Sequence, residues 1–148
     1  MDAKHIDTVA ALESEYFTQP FSKTLFLQEL KNPNALYFVD CLEDGTIRGY
    51  GGFNFVADEG NITTILTASQ YRRKGIAGRL LRMQIVLCKT LGIKQLHLEV
   101  RESNHPARKF YIKHGFCEVG RRINYYDKPR EDAILMTLEL YDDDNIGL

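Results

Sequence analysis

The chain has 148 residues, of which 44% are hydrophobic and 26% charged, with a formal net charge of -1 at pH 7. This length fits one domain, and these proportions are typical of a globular protein rather than a disordered one. A net charge near zero gives no general basic field for nucleic acid or a membrane, so any anion-binding site must be local.

The same sequence predicts a cytoplasmic protein without a bound metal. No apolar run reaches the roughly 20 residues that a membrane span requires. Residues 1–11 carry Asp2, Lys4 and Asp7 where a secretory signal peptide needs an apolar stretch. The histidines lack metal-ligand spacing. The cysteines are far apart and form neither a disulfide framework nor a Cys-x-x-Cys motif, at positions 41, 88 and 117.

The first part of the chain is predicted to form two helices followed by three strands. Apolar residues at helical spacing indicate the first helix, and Ser22 is a typical N-cap for the second. Two runs of β-forming residues flank the turn at 43–46 and predict a hairpin. The helices cover residues 4–17 and 23–30, and the strands cover 36–42, 47–56 and 60–67.

The second part alternates between helices and strands. After a basic loop, apolar residues at helical spacing predict a helix that ends near Leu91, before Gly92. The later elements are a strand over 94–100, a helix over 105–114, and strands over 116–126 and 133–140. Residues 1–140 are therefore predicted to form a single domain, and residues 141–148 an acidic, solvated tail.

A basic loop precedes the third helix. In Arg72-x-x-Gly75-x-Ala77 the small residues remove side-chain bulk where backbone N–H groups would approach a ligand. The following helix N-terminus adds unpaired donors and a partial positive charge, and Arg73 and Lys74 add cationic side chains. The loop therefore predicts an anion site. It lacks the ending of a Walker A loop, which favours a pyrophosphate bound without a metal.

Two other interpretations of the loop stay open at this point. A solvated basic turn before a helix has the same composition, since short glycine motifs are weak evidence. Binding of RNA by the arginines of this region has less support, because no RNP-like aromatic pattern accompanies them.

Several motifs in order resemble one enzyme family. The loop Arg72-Arg73-Lys74-Gly75-Ile76-Ala77, after a strand, resembles the acetyl-CoA loop of the GNAT acetyltransferases. The run from Leu98 to Asn104, the pair Gly115-Phe116 and the run from Arg122 to Tyr126 resemble the RimI-type subgroup, the ribosomal-protein-alanine N-acetyltransferases. Members usually begin with a strand before the first helix, for which the start of this chain leaves almost no room.

The resemblance implies the GNAT fold, of the α+β class. Its mixed central β-sheet is mostly antiparallel, contains one parallel splayed pair and is flanked by helices. Acetyl-CoA is implied as co-substrate, with no metal, and a protein N-terminus as partner, without nucleic acid or a membrane.

The resemblance also implies the residues that bind acetyl-CoA. Backbone groups of Ile65, Leu66 and Thr67 would hold the pantetheine arm, with the Leu66 N–H aimed at the thioester carbonyl. Asn104 would bind the pantetheine or adenylate part. The remaining implied cofactor residues are Arg72, Arg73, Lys74, Gly75, Ile76, Ala77 and Gly78.

Two residues are candidates for the chemistry. Glu99 lies on the strand face opposite Leu98 and Val100. A surface carboxylate is the usual role of such a residue, whereas the resemblance implies a general base, acting through water, that takes the amine's proton. The helical spacing of Tyr111 is typical of a core tyrosine, whereas the resemblance implies a general acid for the leaving thiolate.

The acceptor side is implied to involve Phe21, Tyr125 and Tyr126. Because neighbouring strand residues alternate between faces, at most one of the two tyrosines is expected to line the groove. Acidic side chains could attract a basic ribosomal tail, the candidates being Glu13, Glu15, Glu29, Glu102 and Glu118.

The nature of the acceptor amine stays open. A protein α-amine has a reference pKa near 7.7–8.0, against about 10.4 for lysine, so more of it is neutral at pH 7. The subgroup would acetylate the N-terminal alanine of a small-subunit ribosomal protein. The alternatives are acetylation of a lysine side chain or a small amine, or a non-catalytic module that binds acetyl-CoA.

Overall fold

The computed structural model describes residues 1–141, and the predicted acidic tail lies almost wholly outside the described residues. Four α-helices and six strands follow the predicted order, after a 3-10 turn at Ala3–His5. The helices are α1 Ile6–Tyr16, α2 Lys23–Lys31, α3 Ile76–Thr90 and α4 His105–Lys113. The strands are β1 Ala35–Cys41, β2 Ile47–Val56, β3 Glu59–Thr67, β4 Gln95–Arg101, β5 Cys117–Asp127 and β6 Arg130–Glu139.

All six strands belong to one sheet with the order β1-β2-β3-β4-β6-β5. Among the described strands only β3 and β4 run parallel, and they pair over just three residues each, Glu59–Asn61 against Gln95–His97. The other neighbouring strands are antiparallel. The strands β3 and β4 therefore separate beyond Asn61 and His97, and the predicted mixed sheet with one splayed pair is confirmed.

The helices cover the two faces of the sheet separately. On one face, α3 and α4 pack on the alternating apolar residues of β4, around Leu81, Leu96 and Phe116. On the other face, α1 and α2 bury a smaller core around Phe26 and Tyr50. The alternation in β4 directs Leu96, Leu98 and Val100 towards α3 and α4, and Gln95, His97 and Glu99 towards the opposite side.

No strand precedes α1 in the described part of the chain. Instead, the amino group of Met1 donates a hydrogen bond to the Tyr37 carbonyl of β1, over 2.8 Å. None of the helices within residues 1–141 is long and apolar enough to cross a membrane.

Candidate active site

The gap between β3 and β4 leaves backbone groups of β3 without a strand partner. Directly after β3, the Ala68 N–H donates to the Arg48 carbonyl of β2, which makes Ala68 and Arg48 a hydrogen-bonded pair. From there β2 and β3 pair without a bulge, from Gly49 opposite Thr67 to Gly52 opposite Thr64. Because hydrogen-bonded pairs alternate along an antiparallel ladder, the amides of Ile65 and Thr67 face the gap and that of Leu66 faces β2. The expectation that the Leu66 N–H reaches a ligand carbonyl is therefore wrong.

A large cavity of about 770 Å³ begins at this gap and extends along the N-termini of α3 and α4. We call it the cofactor cavity. It brings together ten of the eleven predicted cofactor residues, which are Ile65, Leu66, Thr67, Arg72, Arg73, Gly75, Ile76, Ala77, Gly78 and Asn104. The exception is Lys74, which does not contribute to the wall, and its ammonium lies 5.7 Å from the centre of the Tyr71 ring.

Gly75 shapes the entrance to α3. It is the N-cap and has a φ of +76°, a left-handed conformation that costs other residues roughly 1–2 kcal/mol. An added Cβ at Gly75 would have no atom within 4 Å. The cofactor cavity reaches Gly75 and the first turn of α3, so it lies against the N-terminus of this helix, which is the arrangement of an anion site.

Three basic residues of the cofactor cavity were missed in the sequence. Arg82, Lys113 and His114 line the wall beside Arg72 and Arg73. Arg82 follows Gly78 by one helical turn, which the sequence could have revealed. The other two reach the cavity only because α4 packs beside α3. The positive charges of Arg82 and Lys113 suit a ligand that carries several phosphates.

A second cavity of about 390 Å³ adjoins the face that carries α1 and α2, and we call it the acceptor cavity. One wall comes from the α1–α2 loop, with Phe17, Gln19 and Phe21. The opposite wall comes from β5, with Tyr125 and Tyr126. All three residues predicted for the acceptor side therefore meet in one cavity.

Both tyrosines of β5 line this cavity, so the expectation that only one can do so is wrong. The pairing of β5 with β6 is irregular between Arg122 and Tyr126, and Asn124 has a φ of +54°. Such a bulge interrupts the alternation of side chains between the two faces. The two rings consequently lie edge to face, with their centres 4.9 Å apart.

A passage of about 220 Å³ lies between the two cavities, and Glu99 and Tyr111 both line it. It shares Ile65, Asn104 and Ala107 with the cofactor cavity. It shares Glu99 and Tyr126, among others, with the acceptor cavity. The passage therefore connects the two faces of the sheet through the gap between β3 and β4.

The two candidate catalytic groups have different surroundings. The side chain of Glu99 is 19% exposed, and one carboxylate oxygen lies 3.8 Å from a guanidinium nitrogen of Arg122. Burial, and to a smaller degree Tyr126, raises the pKa of Tyr111 well above its usual value. Burial, with the nearby Tyr125 and Glu99, raises the pKa of Tyr126 to about 12. Both phenols are therefore protonated at neutral pH and can act as proton donors.

Glu13, one of the acids proposed to attract a basic tail, is buried. It is 3% exposed and accepts hydrogen bonds from the hydroxyls of Tyr50, over 2.5 Å, and Thr64, over 3.3 Å. Burial raises its pKa, although these hydrogen bonds oppose the shift. Three other acids expected to attract basic tails also bond within the chain: Glu29 to Tyr37, Glu102 to Arg121 and Glu118 to Arg108.

Within residues 1–141, no group of three or more histidine, cysteine or acidic side chains is arranged to hold a metal ion. The cofactor cavity instead offers cationic side chains, a helix N-terminus and the buried hydroxyl of Thr67, which has no partner among the described residues. This set of donors suits a phosphate-bearing ligand with an amide-containing arm.

The fold and these joined cavities define an acyl-transfer enzyme of the GNAT type. The model of the acetyltransferase (GNAT) family matches residues 6–116. The chain belongs to this family and is an acetyltransferase.

Two relatives of similar sequence have names that specify a substrate. A Bacillus subtilis (strain 168) protein with the provisional name ribosomal protein bS18-alanine N-acetyltransferase is 41% identical over 92% of this chain and 90% of that protein. The Haemophilus influenzae enzyme named ribosomal protein bS18-alanine N-acetyltransferase is 40% identical over 75% of this chain and 79% of that protein.

A solved structure agrees with these relatives. The ribosomal-protein-S18-alanine N-acetyltransferase from Escherichia coli has a TM-score of 0.86 at 27% identity, covering 100% of this chain and 96% of that chain. The predicted resemblance to the RimI type is confirmed.

Proposed function

We propose that this chain transfers the acetyl group of acetyl-CoA to the α-amine of a protein N-terminus, the N-terminal alanine of a small-subunit ribosomal protein. The observation that carries the proposal is the passage through the gap between β3 and β4. It joins a phosphate-suited cavity on one side to a tyrosine-lined cavity on the other, and it has Glu99 and Tyr111 on its walls.

The cofactor cavity is assigned to acetyl-CoA. Arg72, Arg73 and the N–H groups at the start of α3 would hold the pyrophosphate. The amide of Thr67 would hold the pantetheine arm, because it faces the gap and belongs to the cofactor cavity alone. Ile65 also reaches the passage, so its N–H is the better donor to the thioester carbonyl oxygen.

The chemistry follows from the two groups on the passage. Glu99 takes a proton from the α-ammonium, directly or through water, and the neutral nitrogen attacks the thioester carbonyl carbon. The negative charge that develops on oxygen is stabilised by the Ile65 N–H. When the carbon–sulfur bond breaks, Tyr111 donates its proton to sulfur, and the free thiol of coenzyme A leaves. The attacking nitrogen gives up its second proton to solvent as the amide forms, solvent reprotonates the Tyr111 phenolate, and Glu99 releases its proton to solvent.

Two observations support a protein N-terminus as the acceptor. The two relatives described above, which cover 92% and 75% of this chain, carry the name ribosomal protein bS18-alanine N-acetyltransferase, the first of them provisionally. An α-amine, with a reference pKa near 7.7–8.0, also gives up its proton more readily than lysine, with a reference pKa of about 10.4. A single carboxylate such as Glu99 is therefore a sufficient base.

A pair of peptides tests this proposal. A peptide with a free N-terminal alanine should release coenzyme A thiol from acetyl-CoA, and mass spectrometry should locate the acetyl group on the α-nitrogen. The matched control has the same sequence with a blocked N-terminus and an internal lysine, and it should not react. Label on lysine would favour a lysine acetyltransferase, and acetyl-CoA binding without transfer to any amine would favour a non-catalytic module.

A further inference from the structure

Arg101, the last residue of β4, connects two segments that are distant in sequence. One guanidinium nitrogen donates to the Pro129 carbonyl over 2.9 Å, in the turn between β5 and β6. The other donates to the Thr18 hydroxyl over 3.0 Å, in the α1–α2 loop, and to the Lys128 carbonyl over 3.3 Å. Its guanidinium carbon lies 4.2 Å from the centre of the Tyr126 ring.

The segments that Arg101 joins are the two walls of the acceptor cavity. Thr18 lies between Phe17 and Gln19, which line the cavity from the α1–α2 loop. Tyr126 lines it from the hairpin, and the Asp127 N–H donates to the Gln19 side chain over 3.4 Å. Besides the bond from Asp127 to Gln19, the two walls are therefore joined through the guanidinium group of Arg101.

We propose that Arg101 is a positioning residue, which holds the α1–α2 loop against the β5–β6 hairpin so that the acceptor cavity is formed before the acceptor arrives. This role rests on the proposed function of that cavity. Only arginine offers a planar fork of donors that can reach a hydroxyl and two carbonyls while stacking on a ring. Arg101 lines the passage beside Glu99 but not the cofactor cavity, so its substitution should leave the binding of acetyl-CoA unchanged.

Arg101→Lys keeps the charge and removes the fork. The walls would then have to be ordered during acceptor binding, at a cost in affinity and not in the chemical step. We expect the KM for the alanine peptide to rise about tenfold, the kcat to change less than twofold, and the affinity for acetyl-CoA to stay constant. Hydrogen exchange should quicken in residues 17–22 and 127–130.

Arg121→Lys is the matched control. Arg121 joins Glu102 to Asp132 of the same hairpin, over 2.7 and 2.9 Å, but has no bond to the α1–α2 loop. Its substitution should leave the peptide KM and the exchange of residues 17–22 unchanged.

The two measurements separate this inference from the proposed function. Hydrogen exchange needs no substrate, so it tests the connection even if wild-type protein does not acetylate the peptide. Unchanged exchange in Arg101→Lys would overturn the connection, and faster exchange throughout the sheet would show general destabilisation instead. If Arg101→Lys quickens exchange only in residues 17–22 and 127–130 but leaves the peptide KM unaltered, Arg101 does not position the acceptor. A loss of acetyl-CoA affinity as large as the rise in the peptide KM would overturn that role as well.

Discussion

Replacing Tyr111 by phenylalanine tests the proposed acid most directly. The ring of Tyr111 lies edge to face with Phe110 and Phe116, with centres 5.2 and 5.5 Å apart, and phenylalanine preserves both contacts. No hydrogen bond to the Tyr111 hydroxyl occurs within the described residues, so its loss should change the free energy of unfolding by less than about 1 kcal/mol. The effect on catalysis should be much larger than the effect on stability.

The magnitude follows from the role of the lost proton. Removing a positioned acid typically lowers the rate by about 10²–10⁴, which corresponds to roughly 3–5 kcal/mol in the barrier. The thiolate of coenzyme A must then leave unprotonated. A donor whose thiol is more acidic should therefore recover part of the rate, whereas a higher pH should not.

The assay is single-turnover thiol release with saturating acetyl-CoA, followed for acetyl donors of different thiol acidity. Tyr71→Phe is the matched control, because Tyr71 lines the cofactor cavity away from the passage and should retain its rate. Full activity of Tyr111→Phe would refute the acid and return Tyr111 to a packing role. A loss that is equal for all donors would likewise contradict protonation of the leaving sulfur.

Three further predictions concern the base, the cofactor and a buried acid. The rate loss of Glu99→Gln should shrink above about pH 8, where the α-amine is already neutral, and a constant fractional loss would exclude the base. Gly75→Glu should abolish acetyl-CoA binding in calorimetry, whereas Gly45→Glu, at another open glycine with positive φ, should bind normally. Burial raises the pKa of Glu13, so the folded state favours its protonated form, and the contribution of Glu13 to stability should fall as the pH rises above about 4, the ordinary pKa of a glutamate. Glu13→Gln cannot titrate, so its Tm should rise relative to wild type over that range, and parallel curves would contradict the shift.

The sequence by itself was sufficient to predict the helices and strands and the residues that line the cofactor side of the candidate site. Helical spacing, Ser22 and the loop up to Ala77 are local signals, and each produced an element or turn close to its predicted bounds. Alternation along β4 correctly separated Glu99 from Leu98 and Val100, because strand geometry alone fixes which side chains share a face.

Such local signals did not predict the bulge in β5 or which amides of β3 face the gap. The bulge near Asn124 turns both Tyr125 and Tyr126 towards one cavity, and the ladder register directs the amide of Ile65 rather than Leu66 into the gap. Both depend on how one strand pairs with its neighbour, which residue types within a single strand do not specify.

The chemical environment of the charged residues was decided by the tertiary structure. Glutamate is usually a surface residue, yet α1 packs Glu13 against Tyr50 and Thr64. Arg101 gains its partners from segments more than 25 residues away on either side. Burial and long-range contacts exist only once helices and sheet pack together, so the sequence could identify these charges but not the groups that they face.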